Sequence, residues 1–424
     1  MKALEKRAQI RRTAAEVLAS AVSDYDPKTF IIKGGASPIS FYYDFIFVNP
    51  FQEETLPLIE ERMRKIVADD MEIKIHEMVP MSAANFLRHH RRPYAAHFVE
   101  KCGAQLVKVL QFGNFVDHIH GSFLDSTGQI KAFKLIKMER RSNLIFRGEE
   151  KKVYRIIGVA EEDKEGLKAH VKKYKAWIGV NHLQVGEALG LFRYDVTRDE
   201  DHFERAHLFW TKEGEELFYQ IHRYWRERLK KERYELVMTE GENLTKAHRK
   251  LMKLSKRSSE KEPVKYAEYC APSRNQAIYV DSGLLPGKGC HKDQAHIFCT
   301  KKDLKEQIRG VTTLLHELPS RFGFRCDLEI QGSEEIVSLL EDGASHLGLS
   351  KRVSKGKEGL MEWKIHDDFG RTFTGPFLSV KEKNEIFTLS FSLFSSVERI
   401  IALILESYEK DLSQKKELFS RIGA

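Results

Sequence analysis

KDQAHIFCTKKDL, Lys292 to Leu304, sets one histidine, His296, among apolar residues where a strand hands over to a helix. A zinc site needs about four nitrogen, sulfur or oxygen ligands in a tetrahedron, and Cys290, His291 and Cys299 lie close by in sequence. In a strand, His296 and Phe298 share one face while Cys299 points to the other. A metal ligand and a hydrogen-bonded core histidine are both open at this point. Arg399 is a second candidate. It opens a helix otherwise filled by Val397, Ile400, Ile401 and Leu403, so its head requires an anion or a carboxylate partner. Two basic runs are a third. RHHRRPY crowds Arg88, Arg91 and Arg92 beside Tyr94, and KAHRKLMKLSKR includes Lys253, Lys256 and Arg257. Such runs can neutralise phosphates, and they serve equally well as solvated surface.

The elements that position these residues fall into two domains. The chain has 424 residues, 42% of them hydrophobic, enough for two to three domains with sizeable cores. Lys and Arg exceed Asp and Glu by eight, which permits a polyanionic partner without requiring one. The apolar runs are short and the N-terminus is charged from the start, so the reading contains no membrane span and no signal peptide. Five cysteines without framework spacing fit a reducing, cytoplasmic location.

Residues 4–23 put Ile10, Ala14, Val17, Leu18 and Ala21 on one helical face. TFIIKGGASPISFYYDFIFV reads as two strands around a Gly-Gly turn. Residues 53–69 are helical, with Leu56, Ile59, Met63, Ile66 and Val67 inward, and a β-rich stretch runs from 104 to 158. This gives an α+β domain over 1–160, a connecting helix over 161–190 and a second domain over 191–424. In that domain FYQIHRYWRERLKKERYELVM is a long amphipathic helix running into a strand, with Phe218, Ile221, Tyr224, Trp225 and Leu229 as an apolar stripe suited to a subunit interface. The run from Asn243 to Tyr266 reads as basic and exposed. Strands fall around 266–269, 277–280 and 294–299. A helix then starts at Thr300, with Asp303 in a capping-box-like position and Leu304, Ile308, Val311, Leu315 and Leu318 as its core stripe. Strands and a last helix from Ser396 close the chain.

KDQAHIFCT with the helix to RFGF, AEYCAPSRNQ, SSVERIIALILES, ISFYYDF and the segment from Ser126 to His170 resemble, in collinear order, the threonyl-tRNA synthetases, a family of class II aminoacyl-tRNA synthetases. The resemblance covers about residues 8 to 412. It implies an editing-type N-terminal domain followed by a class II core, an antiparallel sheet flanked by helices. It also implies a truncated, degenerate paralogue without the family's N-terminal ubiquitin-like and C-terminal anticodon-binding domains.

The departures decide the functional expectation. The family holds zinc with one cysteine and two histidines. His296 matches one histidine, Ser390 stands at the other, and the cysteine's stretch is missing, so no zinc is expected. Arg274 and Arg399 match the arginines that bind the α- and γ-phosphates of ATP, and a second arginine of the family motif that carries Arg274 is replaced near Pro286 to Lys288. Arg274, Lys288 and Arg399 are vestigial nucleotide-binding candidates, with ATP and Mg as possible ligands. Gln276 replaces a glutamate, Leu360 the pocket lysine, and Thr374 the pocket glutamine. In the editing domain Arg12 and Glu16 stand at the His-x-x-x-His positions, where their spacing allows a surface ion pair. Ala95 replaces a lysine, and Ile119 and Phe123 replace a cysteine and a histidine. Asp117 and Gly121 remain. His118 and His120, on one face by alternation, read as a replacement pair or as exposed polar residues. Losing a whole constellation removes a hydrolytic centre. The expectation is a pseudoenzyme with no catalytic residues, a homodimer that binds a tRNA acceptor arm or a protein. The alternative is a divergent ATP-dependent ligase for another amino acid.

Overall fold

The computed structural model describes residues 2–37, 39–141, 143–178, 181–198, 204–239, 243–270, 278–279, 283–286, 291–367 and 369–407. The chain divides into two compact units, Met1–Gly179 with Val196–Arg205, and Val180–Asp195 with Ala206–Ala424.

The first unit opens with α1 (Lys2–Tyr25) and continues through β1 (Phe30–Ala36), β2 (Phe41–Ile46), α2 (Leu56–Ala68), β3 (Lys74–Met78), α3 (Pro80–His89) and α4 (Pro93–Lys101). Then come β4 (Val107–Phe112), β5 (Phe115–Ile119), β6 (Ala132–Arg140), β7 (Leu144–Phe146), β8 (Glu149–Lys151), β9 (Tyr154–Glu161) and α5 (Lys164–Ile178). One antiparallel sheet has the order β1-β2-β9-β6 and a second the order β3-β4-β5. The α1 stripe is buried as its spacing predicts, and it shares a core with Ile59 and Met63 of α2 and Phe41, Phe45 and Ile156 of the sheet. A smaller core joins α3 and α4 to β4 and β5 through Ala84, Leu87, Val99 and Val109.

The Gly-Gly pair is not a turn. Gly34 and Gly35 lie inside β1, paired across from Tyr43 and Tyr42 of β2. A Cβ at Gly34 would overlap the Tyr43 ring, and one at Gly35 would press on the Tyr42 hydroxyl group. The glycines are there because aromatic side chains lie flat on the strand.

The second unit contains α6 (His182–Ala188), then β10 (Phe192–Arg198) and β11 (Glu204–Trp210), whose residues divide between the units. It continues with α7 (Lys212–Lys231), β12 (Glu235–Leu236), α8 (Leu244–Leu254), β13 (Val264–Cys270), β14 (Ile278–Tyr279), β15 (Lys292–Cys299) and α9 (Lys301–Arg321). It ends with β16 (Arg325–Gly332), α10 (Glu334–Gly343), β17 (Lys351–Lys355), β18 (Gly359–His366), β19 (Thr372–Lys383), β20 (Ile386–Ser392) and α11 (Val397–Ser407). Eight strands form its sheet, in the order β12-β13-β15-β20-β19-β18-β16-β17. Neighbours are antiparallel except for β12 with β13 and β16 with β17. Leu304, Ile308, Val311, Leu315 and Leu318 of α9 are buried in one core with Met361 and Trp363 of β18 and Leu389 of β20.

Four local expectations change. Residues 161–190 form two helices, because Asn181 starts α6 anew by accepting a hydrogen bond from the Leu183 amide. The α7 stripe is used inside its own unit: Ile221, Trp225 and Leu229 lie in the core, and Trp225 Nε1 donates to Asp293 Oδ2 at 3.2 Å. The run after Asn243 is the helix α8, capped by the Asn243 side chain and burying His248 and Met252. The Thr300 hydroxyl meets the Asp303 side chain at 3.3 Å and makes no cap to the backbone, so the capping box is incomplete.

Candidate functional site

In the first unit, α1, β1, β2, α4 and the β5 loop converge on a cavity of about 240 Å³. Arg12, Glu16, Ala95, Asp117, Ile119 and Phe123, residues far apart in sequence, all line it. The α1 pair expected on the surface is not one. Arg12 bonds to Glu5 and to the carbonyl and hydroxyl oxygens of Ser122. Glu16 is buried, and its Oε2 has no hydrogen-bond partner among the described residues. The reason is helical geometry: Glu16 lies on the inward face with Thr13 and Val17, while Arg12 sits at the rim.

Asp117 is buried beside it. It accepts a hydrogen bond from the Tyr43 hydroxyl and another from the His118 amide, 2.7 Å from its Oδ1. Burial pushes its carboxyl up to about 7, partly offset by the His118 amide. Burial, and then the Asp117 charge, push Glu16 well above the carboxylate range. His118 and His120 also line the cavity, with ring centroids 4.6 Å apart and ring planes nearly perpendicular. Burial, with the charges of His120 and Lys33, lowers His118 to about 3. An imidazole that weakly basic is a poor proton acceptor at neutral pH. The cavity therefore offers carboxyl groups held toward their neutral form, neutral imidazoles and phenols. Among the described residues the lining has no thiol; its Tyr43 hydroxyl is paired with the Asp117 carboxyl, and both are buried.

In the second unit, His296 is fully buried on β15 and paired across from Ser390 of β20, so the sheet register brings these two sequence-matched positions side by side. His296 Nε2 lies 2.9 Å from Thr245 Oγ1, and its Nδ1 lies 2.8 Å from Nδ1 of His248. His248 Nε2 is 3.2 Å from Glu268, which also accepts from the Thr239 amide and hydroxyl. One proton arrangement satisfies the chain: Thr245 donates to His296, His296 to His248, and His248 to Glu268. Burial, then His248 and Arg249, lower His296 to about 3. The residues do not fit a zinc ion. The two imidazoles point their Nδ1 atoms at each other, and Ser390 brings only a hydroxyl. Among the described residues, no group of three or more His, Cys, Asp or Glu could hold a metal. Sequence reading missed His248, although its spacing from Met252 on an amphipathic run marks an inward face.

Leu360 lies on β18 opposite Ser379. Strand alternation puts Glu362 and Lys364 on the same face. Lys364 Nζ bonds to Glu362 at 2.7 Å, to Glu329 at 3.2 Å and to Thr374 at 3.3 Å. Burial opposes its charge, and Glu362 and Glu329 outweigh this and raise its pKa. A cation thus stands four residues from Leu360, legible in the alternation of GLMEWKIH. Arg399 donates to the carbonyl oxygens of Leu285, Thr374 and Pro286, each at 2.6 Å. Arg274, Gln276, Lys288, Cys290, Ala277 and Val280 lie outside the described residues.

The basic runs separate. Arg88 and Arg91 are exposed, Arg88 bonding to Glu100 and Asn85. Arg92 is buried: its Nε donates to the Val116 carbonyl at 2.8 Å and its guanidinium covers the Phe115 ring. It is a packing residue of this unit. Lys253 and Lys256 are exposed, and Arg257 is half-buried between Glu235 and Glu262.

Residues 224–408 of the chain match the family described as tRNA synthetase class II core domain (G, H, P, S and T). The chain therefore carries a class II tRNA synthetase core. Along most of its length it is a relative of threonine–tRNA ligases. It is 27% identical to that of Geobacter sp. strain M21 over 414 residues, 89% of this chain and 63% of the relative, and 28% identical to that of Hahella chejuensis over 94% of this chain and 72% of the relative. The chain thus spans somewhat less than two thirds of the first of these relatives. Among solved structures, the RNA binding domain of threonyl-tRNA synthetase from Cryptosporidium parvum has a TM-score of 0.44 at 15% identity, covering 53% of this chain and 72% of that one. A threonyl-tRNA synthetase from Aeropyrum pernix has a TM-score of 0.42 at 14% identity, covering 54% and 69%.

Proposed function

We propose that the chain is a threonyl-tRNA synthetase-like pseudoenzyme, with an editing-like unit and a class II core that neither activates threonine nor edits seryl-tRNA. It acts as a binding or regulatory factor for a tRNA acceptor arm. One observation carries the reading: Arg12, Glu16, Ala95, Ile119 and Phe123, which the sequence resemblance matches to the editing positions, all line one cavity, and none of the five is a thiol, a hydroxyl or an imidazole. The second unit supports it, with Leu360 at the position the resemblance gives to a lysine and two imidazoles closed on each other. RNA is the favoured partner because the relatives are ligases of tRNA by name and because Arg88, Arg91, Lys253 and Lys256 remain exposed. A protein partner is the outcome if RNA fails to bind.

A divergent ATP-dependent ligase is the second reading. It is favoured by Lys364, four residues along the same strand face from Leu360, and by Arg399, which like Lys364 bonds to Thr374, with ATP and Mg as ligands. A homodimer belongs to the proposal and rests on β12, an edge strand followed by the fully open side chain of Met238. So does a cytoplasmic location, with the four described cysteines free. No described helix is long and apolar enough to cross a membrane.

The test is threonine-dependent ATP–pyrophosphate exchange and seryl-tRNA deacylation on one preparation, alongside filter binding of threonine tRNA, its acceptor minihelix and an unrelated tRNA. The proposal expects neither activity, and binding of the minihelix as tight as that of the whole tRNA. Exchange at the rate of a working synthetase sinks it, and exchange with another amino acid promotes the ligase reading.

A further inference from the structure

A second cavity in the first unit, of about 680 Å³, opens where the start of β1, the α3–α4 turn and the β7–β8 hairpin meet. Lys28, Arg88, Arg91 and Arg147 line it and are exposed, against one lining carboxylate, Glu100, which Arg88 engages. His97, also in the lining, has its pKa lowered by burial first and then by Lys101 outside the cavity, with Glu100 opposing and Arg147 and Arg88 contributing less.

The backbone under two of these arginines is unusual. Arg91 follows α3 at φ 60°, in a helix-ending turn where the Arg91 amide bonds to the Arg88 carbonyl and the Arg92 amide to the Leu87 carbonyl. That position ordinarily takes glycine or asparagine. Arg147 at φ 51° and Gly148 at φ 81° form the two-residue turn between β7 and β8, whose first position ordinarily takes asparagine, aspartate or glycine. A cation at a helix C-terminus has its own electrostatic reason, and Arg233 and Lys256 occupy left-handed positions after α7 and α8. The helix-terminus reason does not cover Arg147, which sits in a hairpin with its guanidinium over the Phe146 ring. What Arg91 and Arg147 share is the cavity.

The shape selects the anion. Ligand pockets commonly enclose about 300–1,000 Å³, so this one exceeds the needs of a lone phosphate and excludes a duplex. Phe30 is 41% exposed in its wall and offers a ring face on which a base can stack. A terminal phosphate carries nearly two negative charges at neutral pH, against one for a diester, which suits four cations offset by one carboxylate. We propose that this cavity binds a nucleotide through its phosphomonoester, presented by the 5′ end of a single-stranded RNA or by a free nucleoside monophosphate. The RNA arm rests on the RNA-binding reading above, and the free-nucleotide arm does not.

The test uses the full chain and fluorescence anisotropy with one short single-stranded RNA, made with a 5′ phosphate and with a 5′ hydroxyl, followed by competition with AMP. The phosphorylated RNA should bind about tenfold more tightly, the ratio given by one charge-assisted contact. Arg91→Gly with Arg147→Asn removes two charges while giving the backbone the residues those turns favour. The double variant should therefore keep or raise its Tm and lose the 5′-phosphate preference. Lys253→Gln with Lys256→Gln should weaken both RNAs alike and keep the preference. Displacement by AMP shows that the site accepts the free nucleotide, and its failure beside a 5′-phosphate preference restricts the site to RNA ends. Equal affinity for the two RNAs, with no AMP binding at millimolar concentration, overturns the cavity proposal and leaves RNA binding standing. AMP binding without RNA binding removes the RNA reading and keeps the cavity. A preference that survives in the double variant places the phosphate elsewhere and overturns the assignment.

Discussion

Glu16 and Asp117 bring two carboxyl groups into one buried cavity of the first unit. Their cost depends on pH. An unfolded aspartate ionises near pH 4, whereas burial pushes Asp117 up to about 7 and raises Glu16 as well. The folded state thus binds protons that the unfolded state has already released. Its stability is greatest below the unfolded pKa and declines as pH rises toward the folded value, above which both states are ionised and the decline stops. Asp117→Asn removes the charge and keeps one of the two accepting oxygens, so the loss of one bond, from the Tyr43 hydroxyl or the His118 amide, is a pH-independent offset. We expect its Tm to gain on that of the wild type between pH 5 and pH 8, with Glu16→Gln shifting in the same sense. Thermal unfolding across that range checks this, and a difference in Tm that does not change with pH would refute it.

At the scale of elements, β1 explains why the cavity has its shape. Gly34 and Gly35 let Tyr43 and Tyr42 of β2 lie against the strand, and Tyr43 in turn reaches Asp117. Gly34→Ala puts a methyl group into the Tyr43 ring. Overpacking of this kind costs about 1–3 kcal/mol, so the urea midpoint should fall, and the displaced phenol should weaken its bond to Asp117. An unchanged midpoint would mean that the ring moves freely. The element shows what the sequence discloses and what it does not. Helix stripes such as Leu304 to Leu318 and Ile10 to Ala21 were legible, because a 3.6-residue period depends only on nearby residues. The role of Gly34 was not, since it is set by a tyrosine on the next strand. His248 escaped for the same reason: its partner His296 is on β15, far along the chain, and the inward face of α8 was hidden among its lysines. Arg12 and Glu16 were four residues apart and suggested a pair. Burial separated them, and burial is a tertiary property.

For the whole molecule, the cores are separate. The cluster built on α1, α2 and the four-stranded sheet shares no residue with the one built on α7, α9 and the eight-stranded sheet. Domains with their own cores commonly unfold as distinct steps. Calorimetry should therefore resolve two transitions, each moved by its own substitutions. Raising the pH from 5 to 8 should move one of them upward in Asp117→Asn relative to the wild type. Leu340→Ala, which empties a fully buried site of the second core, should lower the other, at a cost of about 2–5 kcal/mol. The pair of variants assigns the transitions without dividing the chain. The same assignment bears on binding: AMP at saturating concentration should raise only the transition that Asp117→Asn moves, because a ligand stabilises the unit that holds its site. If both substitutions and the nucleotide move one shared transition together, the two units unfold as one cooperative body.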